Sequence, residues 1–178
     1  MTNNHSDQLI LVDYDNNPTG QSDKLRAHRE GLLHRAFSVF LFDSQNRLLI
    51  QKRHSDKYHS AGLWSNTCCS HPYPGEDTAV AARRRLREEM GIECNISEIF
   101  VFHYEARLDG SGLIENEIDH VFVGLYNGPV LFDPVEIEDI RWVAKDELMN
   151  DMKNNSNHYT VWFRKIAKKV WKHASFGA

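Results

Sequence analysis

The sequence predicts an α/β domain (α+β by its order of elements) with a mixed, layered arrangement in which strands outnumber helices. Three observations carry that expectation. Residues 35–43 form a near-continuous apolar run, the pattern of a strand buried on both faces. Residues 96–108 place Phe100, Phe102 and Tyr104 at alternate positions, the period of a strand with two different faces. Residues 77–90 carry Ala79, Ala82, Leu86 and Met90 at spacings of three and four, the period of an amphipathic helix. Strands with helices between and after them make neither an all-β barrel nor a strict βαβ repeat.

In chain order, Gln8 to Asp13 reads as a short strand, and Asn16-Asn17-Pro18-Thr19-Gly20 supplies turn chemistry behind it. Residues 1–27 are expected to be a loosely attached N-terminal arm holding that strand, with 28–178 as one domain. Ser44-Gln45-Asn46 turns the chain, so residues 35–43 and 47–52 are expected to pair as a hairpin. Residues 54–76, rich in His, Gly, Pro and Ser, read as a long irregular connection, a type that usually carries function. Gly91 stops the helix that begins at Asp77. Asp109-Gly110-Ser111-Gly112 is a turn, followed by strands at 120–126 and 137–143 and a short helix at 145–152. Thr160 is the expected cap of a last amphipathic helix to about His173, with Lys165, Lys168, Lys169 and Lys172 on its wet face.

At 178 residues the chain can bury a core without disulfide staples. No apolar run approaches the ~20 residues of a bilayer span, and Met1 to Asp7 lacks the basic and apolar regions of a signal peptide. A net charge of −4 argues against a dedicated nucleic-acid binder. The cysteine count is odd, and Cys68 and Cys69 are adjacent, so free thiols in a reducing cytoplasm are expected. There is no Gly-x-Gly-x-x-Gly after a strand, hence no expected flavin or nicotinamide site.

Four separated blocks hold the candidate chemistry. The first runs from Ser70 through Glu76 to Arg84-Arg85-Leu86-Arg87-Glu88-Glu89-Met90-Gly91-Ile92. It resembles the Nudix box, Gly-x5-Glu-x7-Arg-Glu-U-x-Glu-Glu-x-Gly-U, where U is aliphatic. Positions 85, 88 and 89 share a helix face, where carboxylates can hold a divalent cation on diphosphate. The same residues also fit a solvated face laced by Arg84–Glu88 and Arg85–Glu89 pairs. Ser70 replaces the Gly of the box, and Arg85 replaces the Glu a hydrolase needs; Arg can bind a phosphate oxygen but not a metal. The other blocks are Asn66 to Pro72, Glu115-Asn116-Glu117, and His28 with Gly31 to Ser38.

Together, over residues 9–172, the blocks resemble the type 1 isopentenyl-diphosphate isomerases, a family of the Nudix superfamily. The resemblance implies a Nudix-like mixed-sheet α/β/α layered fold, with 28–178 as the catalytic domain. It also implies a cytoplasmic monomer or weak dimer acting on a small diphosphate, without nucleic-acid or membrane partners. The family's metal site falls on His28, His34, His71, Glu115 and Glu117, a set suited to Mn²⁺, Mg²⁺ or Fe²⁺, with Zn²⁺ as another occupant. Read singly, His34 also fits a satisfied core histidine, and Glu115 with Glu117 fits a solvated strand edge. The family's catalytic positions fall on Cys69, Glu117 and Tyr104. Its aromatic position falls on Trp162, which equally fits a core anchor. Glu89, with the Cys69 carbonyl, matches the holder of a substrate-bound Mg²⁺; Lys24, Arg53, Lys57 and Arg85 match basic positions around the diphosphate. Cys68 should point away from Cys69 as a small buried hydrophobe, and Cys94 reads as structural. The rivals are a Nudix pyrophosphohydrolase and a non-catalytic metal- or phosphate-binding module.

Overall fold

The computed structural model describes residues 8–174 apart from Asp109; residues 1–7 of the expected arm, 175–178, and Asp109 of the expected turn lie outside the described residues. In chain order the elements are β1 (Gln8–Val12), β2 (Pro18–Asp23), α1 (Lys24–Glu30), β3 (His34–Phe42), β4 (Leu48–Arg53), β5 (Trp64–Ser65) and β6 (Cys68–Ser70). There follow α2 (Thr78–Met90), β7 (Ile96–Arg107), β8 (Ile114–Leu125), β9 (Ile137–Val143), α3 (Lys145–Asn154) and α4 (Val161–His173). Among the described residues, all nine strands join one mixed sheet. Among the described residues no helix is long and apolar enough to cross a membrane.

β3 is the hub. It pairs in parallel with β8 along its whole length, from His34↔Glu117 to Phe42↔Leu125. Its other edge meets β1, β6 and β4 in turn. The two faces of β3 are covered by different helices, which is why its sequence is apolar without alternation. Phe37, Val39 and Leu41 pack with Ala81, Ala82, Leu86 and Met90 of α2. Phe40 and Phe42 pack with Phe163, Ile166 and Val170 of α4. The outcome is the expected α/β/α layering.

The expected hairpin is corrected. β3 and β4 pair only at Phe42↔Leu48, beside the turn, and then diverge. β4 pairs instead with β9 and β5. The turn residues dictate chain reversal but not pairing, and polar groups fill the gap that opens. Thr67 Oγ1 accepts from the Leu41 amide (2.9 Å) and donates to the Leu49 carbonyl (2.6 Å), bridging β3 and β4. Asn66 Nδ2 donates to the carbonyls of Val39 and Cys68. The connection at 54–76 is therefore not irregular throughout: β5 and β6 lie within it and pin the Cys-containing segment to the sheet.

The N-terminal region carries more structure than a lone strand. β1 pairs with β2 and meets β3 at Leu11↔His34, with Leu9, Ile10 and Val12 buried. A division at residue 27/28 falls inside α1, whose charged seven-residue sequence has no apolar stripe to announce it. Asp23 caps α1 by accepting from the Arg26 amide.

α2 follows expectation closely. Asp77 accepts from the Val80 amide at its N-terminus, and Gly91 ends it with φ 64°. A Cβ at Gly91 would lie 2.7 Å from the Leu131 carbonyl oxygen, so no other residue fits without displacement. Thr160 occupies the N-terminal position of α4 but makes no side-chain cap bond. Its hydroxyl lies 3.1 Å from Ser65 Oγ, tying α4 to β5.

Candidate active site and metal centre

The site grows out of one face of the β3–β8 ladder. On that face the alternation changes chemistry halfway along. Phe40 and Phe42 of β3, with Val121 and Val123 of β8, belong to the core under α4. Toward the opposite end the same face carries His34 and Ser38 of β3 with Glu115, Glu117 and Asp119 of β8. A residue spacing of two keeps all of these on one side of the sheet. Glu115 and Glu117 lie within β8 rather than just before a strand, and both are buried, so the solvated-edge alternative does not hold.

Register does the rest. Glu117 stands opposite His34 on β3 and opposite Tyr104 on β7, making one row across three strands. Glu117 Oε1 faces His34 Nε2 at 3.4 Å and His71 Nε2 at 3.1 Å, while Oε2 accepts from the Tyr104 hydroxyl at 2.6 Å. Glu115 Oε2 faces His28 Nε2 at 3.2 Å. His28, His34, His71 and Glu117 bring one atom each within 4.8 Å of one another. Glu115 belongs to an overlapping group with His28 and His59.

This donor set fits a divalent cation. His28 Nδ1 donates to the Lys24 carbonyl (2.6 Å) and His34 Nδ1 to the Leu32 carbonyl (2.8 Å). Those bonds assign the ring proton to Nδ1 and turn the lone pair of each Nε2 toward a carboxylate oxygen. His28 Nε2, His34 Nε2 and Glu115 Oε2 are buried with no hydrogen-bond partner. Lone pairs crowded face to face in a buried site are unfavourable unless a cation lies between them. The carboxylates respond to their crowding in opposite directions. Burial and then the charge of Glu117 push Glu115 up. Burial would also raise Glu117, but the facing imidazoles of His34 and His71 outweigh it and hold Glu117 well below the usual range. One ionised and one raised carboxylate is the behaviour of a close like-charge pair. Burial holds His71 neutral, down to about 3.

Beside this cluster opens a cavity of about 50 Å³. Lys24, Arg53, Cys69, His71, Tyr104 and Trp162 contribute to its wall. Cys69 stands opposite Ser38 on β3 and packs on the α4 side; Cys68 points the other way, fully buried in the α2 core. Burial pushes the Cys69 thiol up to about 12, so it holds its proton at neutral pH. Trp162 is both wall and anchor: its Nε1 donates to Ser65 Oγ at 3.0 Å, and the Arg53 guanidinium lies 5.5 Å from its ring centroid. Among the described residues the cysteines are all free, with Cys94 partly buried.

Lys57, Arg85 and Glu89 do not line that cavity; they form a neighbouring charge cluster. Arg85 pairs with Glu88 at 2.9 Å, with Glu89, and with Glu136 at 3.6 Å, and Lys57 pairs with Glu136. The clusters feel each other: the Lys24 ammonium is pushed down by burial first, then by the charge of Arg53, with Arg85 adding to it. Arg53 Nε and Arg85 Nε are buried donors without a partner, as an anion-binding wall requires. Arg84 is spoken for: it clamps Glu76 with two 2.8 Å bonds, bracing the loop before α2.

Sequence reasoning missed three site residues. Asp119 continues the 115–117 alternation; it is fully buried and accepts from Ser38 Oγ at 2.8 Å, and burial pushes its carboxyl well above the usual range. Glu136 gave no signal, being one acid in an acidic stretch. His59 lies in the His-rich connection already marked as functional, which was the available clue.

The NUDIX domain family model matches residues 32–163. The chain is 50% identical over 164 residues to isopentenyl-diphosphate Delta-isomerase 2 of Aromatoleum aromaticum, covering 92% of this chain and 86% of that protein. The chain belongs to the isopentenyl-diphosphate Delta-isomerase family. Its Nudix-fold, type 1 branch is the one that carries this domain. The isopentenyl-diphosphate Delta-isomerase of Serratia proteamaculans is 49% identical, over 92% of this chain and 91% of its own length. In solved structures the fold recurs in the Deinococcus radiodurans protein DR0079, with TM-score 0.75 and 19% identity, covering 94% of this chain and 99% of that one. That likeness concerns the fold alone. On that fold this chain carries its His and Glu cluster and an Arg at position 85.

Proposed function

We propose that this chain converts isopentenyl diphosphate to dimethylallyl diphosphate. The observation that carries the reading is Glu117, held between the Tyr104 hydroxyl on one oxygen and two histidines of the candidate metal cluster on the other, in a cavity that also exposes the Cys69 thiol. The family to which the chain belongs supports the same reading.

The reaction moves a double bond with no carbonyl or organic cofactor to delocalise charge. A proton adds to the terminal alkene carbon, a tertiary cation forms at the neighbouring carbon, and a proton leaves the carbon on its far side. Nothing is consumed, so an acid and a base suffice. Glu117 and Cys69 are the proposed pair, one giving a proton and the other taking one. Tyr104 keeps the free oxygen of Glu117 oriented. Trp162, whose ring already sits by a guanidinium, stabilises the cation by its face. Burial of the pocket keeps water from the cation.

His28, His34, His71, Glu115 and Glu117 would hold one ion, proposed as Mn²⁺ with Zn²⁺, Mg²⁺ or Fe²⁺ as substitutes; the ion would make a proton on Glu117 more acidic. Lys24, Arg53, Lys57 and Arg85 are proposed to receive the diphosphate, with a second ion, Mg²⁺, held by Glu89 and the Cys69 carbonyl. The proposal takes 28–178 as the catalytic domain, with residues 1–27 contributing Lys24 to it. It places the enzyme in the cytoplasm as a monomer or weak dimer in isoprenoid precursor synthesis, without flavin, nicotinamide, nucleic-acid or membrane partners.

The deciding assay is purified protein with Mn²⁺, Mg²⁺ and isopentenyl diphosphate, the product read by its acid lability. No conversion at any metal ratio sinks the proposal. Chelation is expected to remove activity, and added Mn²⁺ or Mg²⁺ to restore it. His71→Ala is expected to lose tightly bound metal by elemental analysis, because a cage missing one imidazole is weaker and misoriented.

Hydrolysis is the reading this site argues against, because Arg85 stands where a hydrolase needs a carboxylate. The protein is expected to leave a panel of nucleoside diphosphate derivatives intact by phosphate release. Arg85→Glu is expected to weaken diphosphate binding by ~1.5–3 kcal/mol, the worth of a charge-assisted hydrogen bond, read by titration calorimetry. Efficient nucleotide hydrolysis by the unaltered protein would overturn both statements.

A further inference from the structure

His59 lies outside the set that the family resemblance assigns, yet it sits where the metal centre meets the cavity. The residue is 8% exposed, and its ring stacks on His28 at 5.7 Å with 28° between planes and meets Tyr58 (4.3 Å) and Trp162 (6.1 Å) edge-on. Its carbonyl accepts from Arg53 Nη2 at 3.3 Å, so its backbone is tied to the cavity wall as well. His59 Nε2 lies 3.5 Å from Glu115 Oε1. Its other nitrogen, Nδ1, lies 3.4 Å from Ser60 Oγ, which can donate to it and leave the ring proton on Nε2.

Glu115 therefore has two oxygens with different surroundings. Oε2 faces His28 and has no hydrogen-bond partner; Oε1 faces His59. A carboxylate rotates freely about its terminal bond, whose torsion is broad. A rigid donor on one oxygen removes that freedom and fixes the direction of the other. Metal-bound groups depend on such outer partners for orientation.

We propose that His59 is a positioning residue of the metal centre, donating from Nε2 to Glu115 Oε1 so that Oε2 stays aimed, with His28, at the ion. This inference rests on the reading of the His and Glu cluster as a metal site. It assigns His59 no contact with the ion itself.

The test is Mn²⁺ affinity by competition with a chelator, which needs no turnover. His59→Ala is expected to bind Mn²⁺ 10–100-fold more weakly, still at one ion per chain, the usual loss when an outer partner is removed. His59→Leu fills the ring's space without a donor, so it carries the same test should His59→Ala fail to fold. His59→Gln, whose amide can donate to Glu115, is expected to stay within about threefold of the unaltered protein. The visible spectrum of the Co²⁺-loaded protein should be unchanged in His59→Gln, because no ligand is lost. Wild-type Mn²⁺ affinity in both His59→Ala and His59→Leu overturns the inference. A Co²⁺ spectrum altered in His59→Gln overturns it too, by making His59 a ligand. His34→Ala separates the two levels. If it also binds Mn²⁺ as tightly as the unaltered protein, the metal-site reading falls and takes this inference with it. If only the His59 variants are unaffected, the inference falls alone.

Discussion

Glu117→Gln is expected to lower turnover of isopentenyl diphosphate by at least ~10²–10⁴-fold, the worth of a general acid or base, and to weaken metal binding at the same time. The amide keeps the shape of the side chain, so it still fits its row between His34 and Tyr104. It cannot carry an exchangeable carboxyl proton, and it brings no negative charge to the ion that His34 and His71 would share with it. The coupled loss separates Glu117 from Tyr104. Tyr104→Phe removes only the 2.6 Å hydrogen bond to Oε2 and should leave metal content intact. Turnover by acid lability and metal content by elemental analysis are measured on the same preparations. A Glu117→Gln protein with unaltered turnover would remove Glu117 from the chemistry.

Cys69→Ala is expected to cut turnover by a similar ~10²–10⁴-fold with its melting curve unchanged. The neighbouring thiol is the built-in control. Cys68 is fully buried against α2, on the opposite side of the strand, and burial raises its thiol well above the ordinary range. Cys68→Ala removes one buried sulfur from a packed core, so it should cost stability of order 1 kcal/mol and leave turnover nearly unchanged. Cys94→Ala should do less still, being only partly buried. The measurement is turnover and thermal melting of the three single variants. An active Cys69→Ala, or an inactive Cys68→Ala that still folds, would reverse the facing of this strand and end the two-sided proton transfer.

Much of this fold was legible because covering a strand on two faces and a helix on one leaves different residue periods. Residues 35–43 and 77–90 announce β3 and α2 for that reason. β2 and α1 were silent. Pro18 to Asp23 is almost wholly exposed, and Lys24 to Glu30 is held by its Asp23 cap and by packing of Ala27 and His28, not by a stripe. The supposed hairpin shows the limit of turn reading, since pairing partners are chosen by what lies beyond the turn. Here β6, arriving from a connection read as irregular, takes the edge that β4 was expected to take. In the site, the spacing of Glu115 and Glu117 placed both on one face, and the parallel register that brings His34 to Glu117 could not be read from either segment alone. His59 and Glu136 were hidden for a related cause. Each meets a partner distant in sequence, Glu115 for one and Lys57 with Arg85 for the other.

The row that joins His34, Glu117 and Tyr104 also bears on how the chain reaches and keeps its native state. β3 and β8 are far apart in sequence; the Ser38–Asp119 bond between them spans 81 residues. Parallel pairing over such a separation closes a long loop before it gains contacts, so this ladder should form late in folding. An ion held by His34 from one strand and Glu117 from the other, as proposed, would tie that loop shut, and it could not bind so in the unfolded chain. Ligation is then part of the folding equilibrium, worth about 2.7 kcal/mol at a free concentration a hundred times the dissociation constant. On the proposed reading the same strand pair would serve as reaction centre and as fastening, so scarcity of the ion would reduce not only the rate of each molecule but the number of molecules that remain folded.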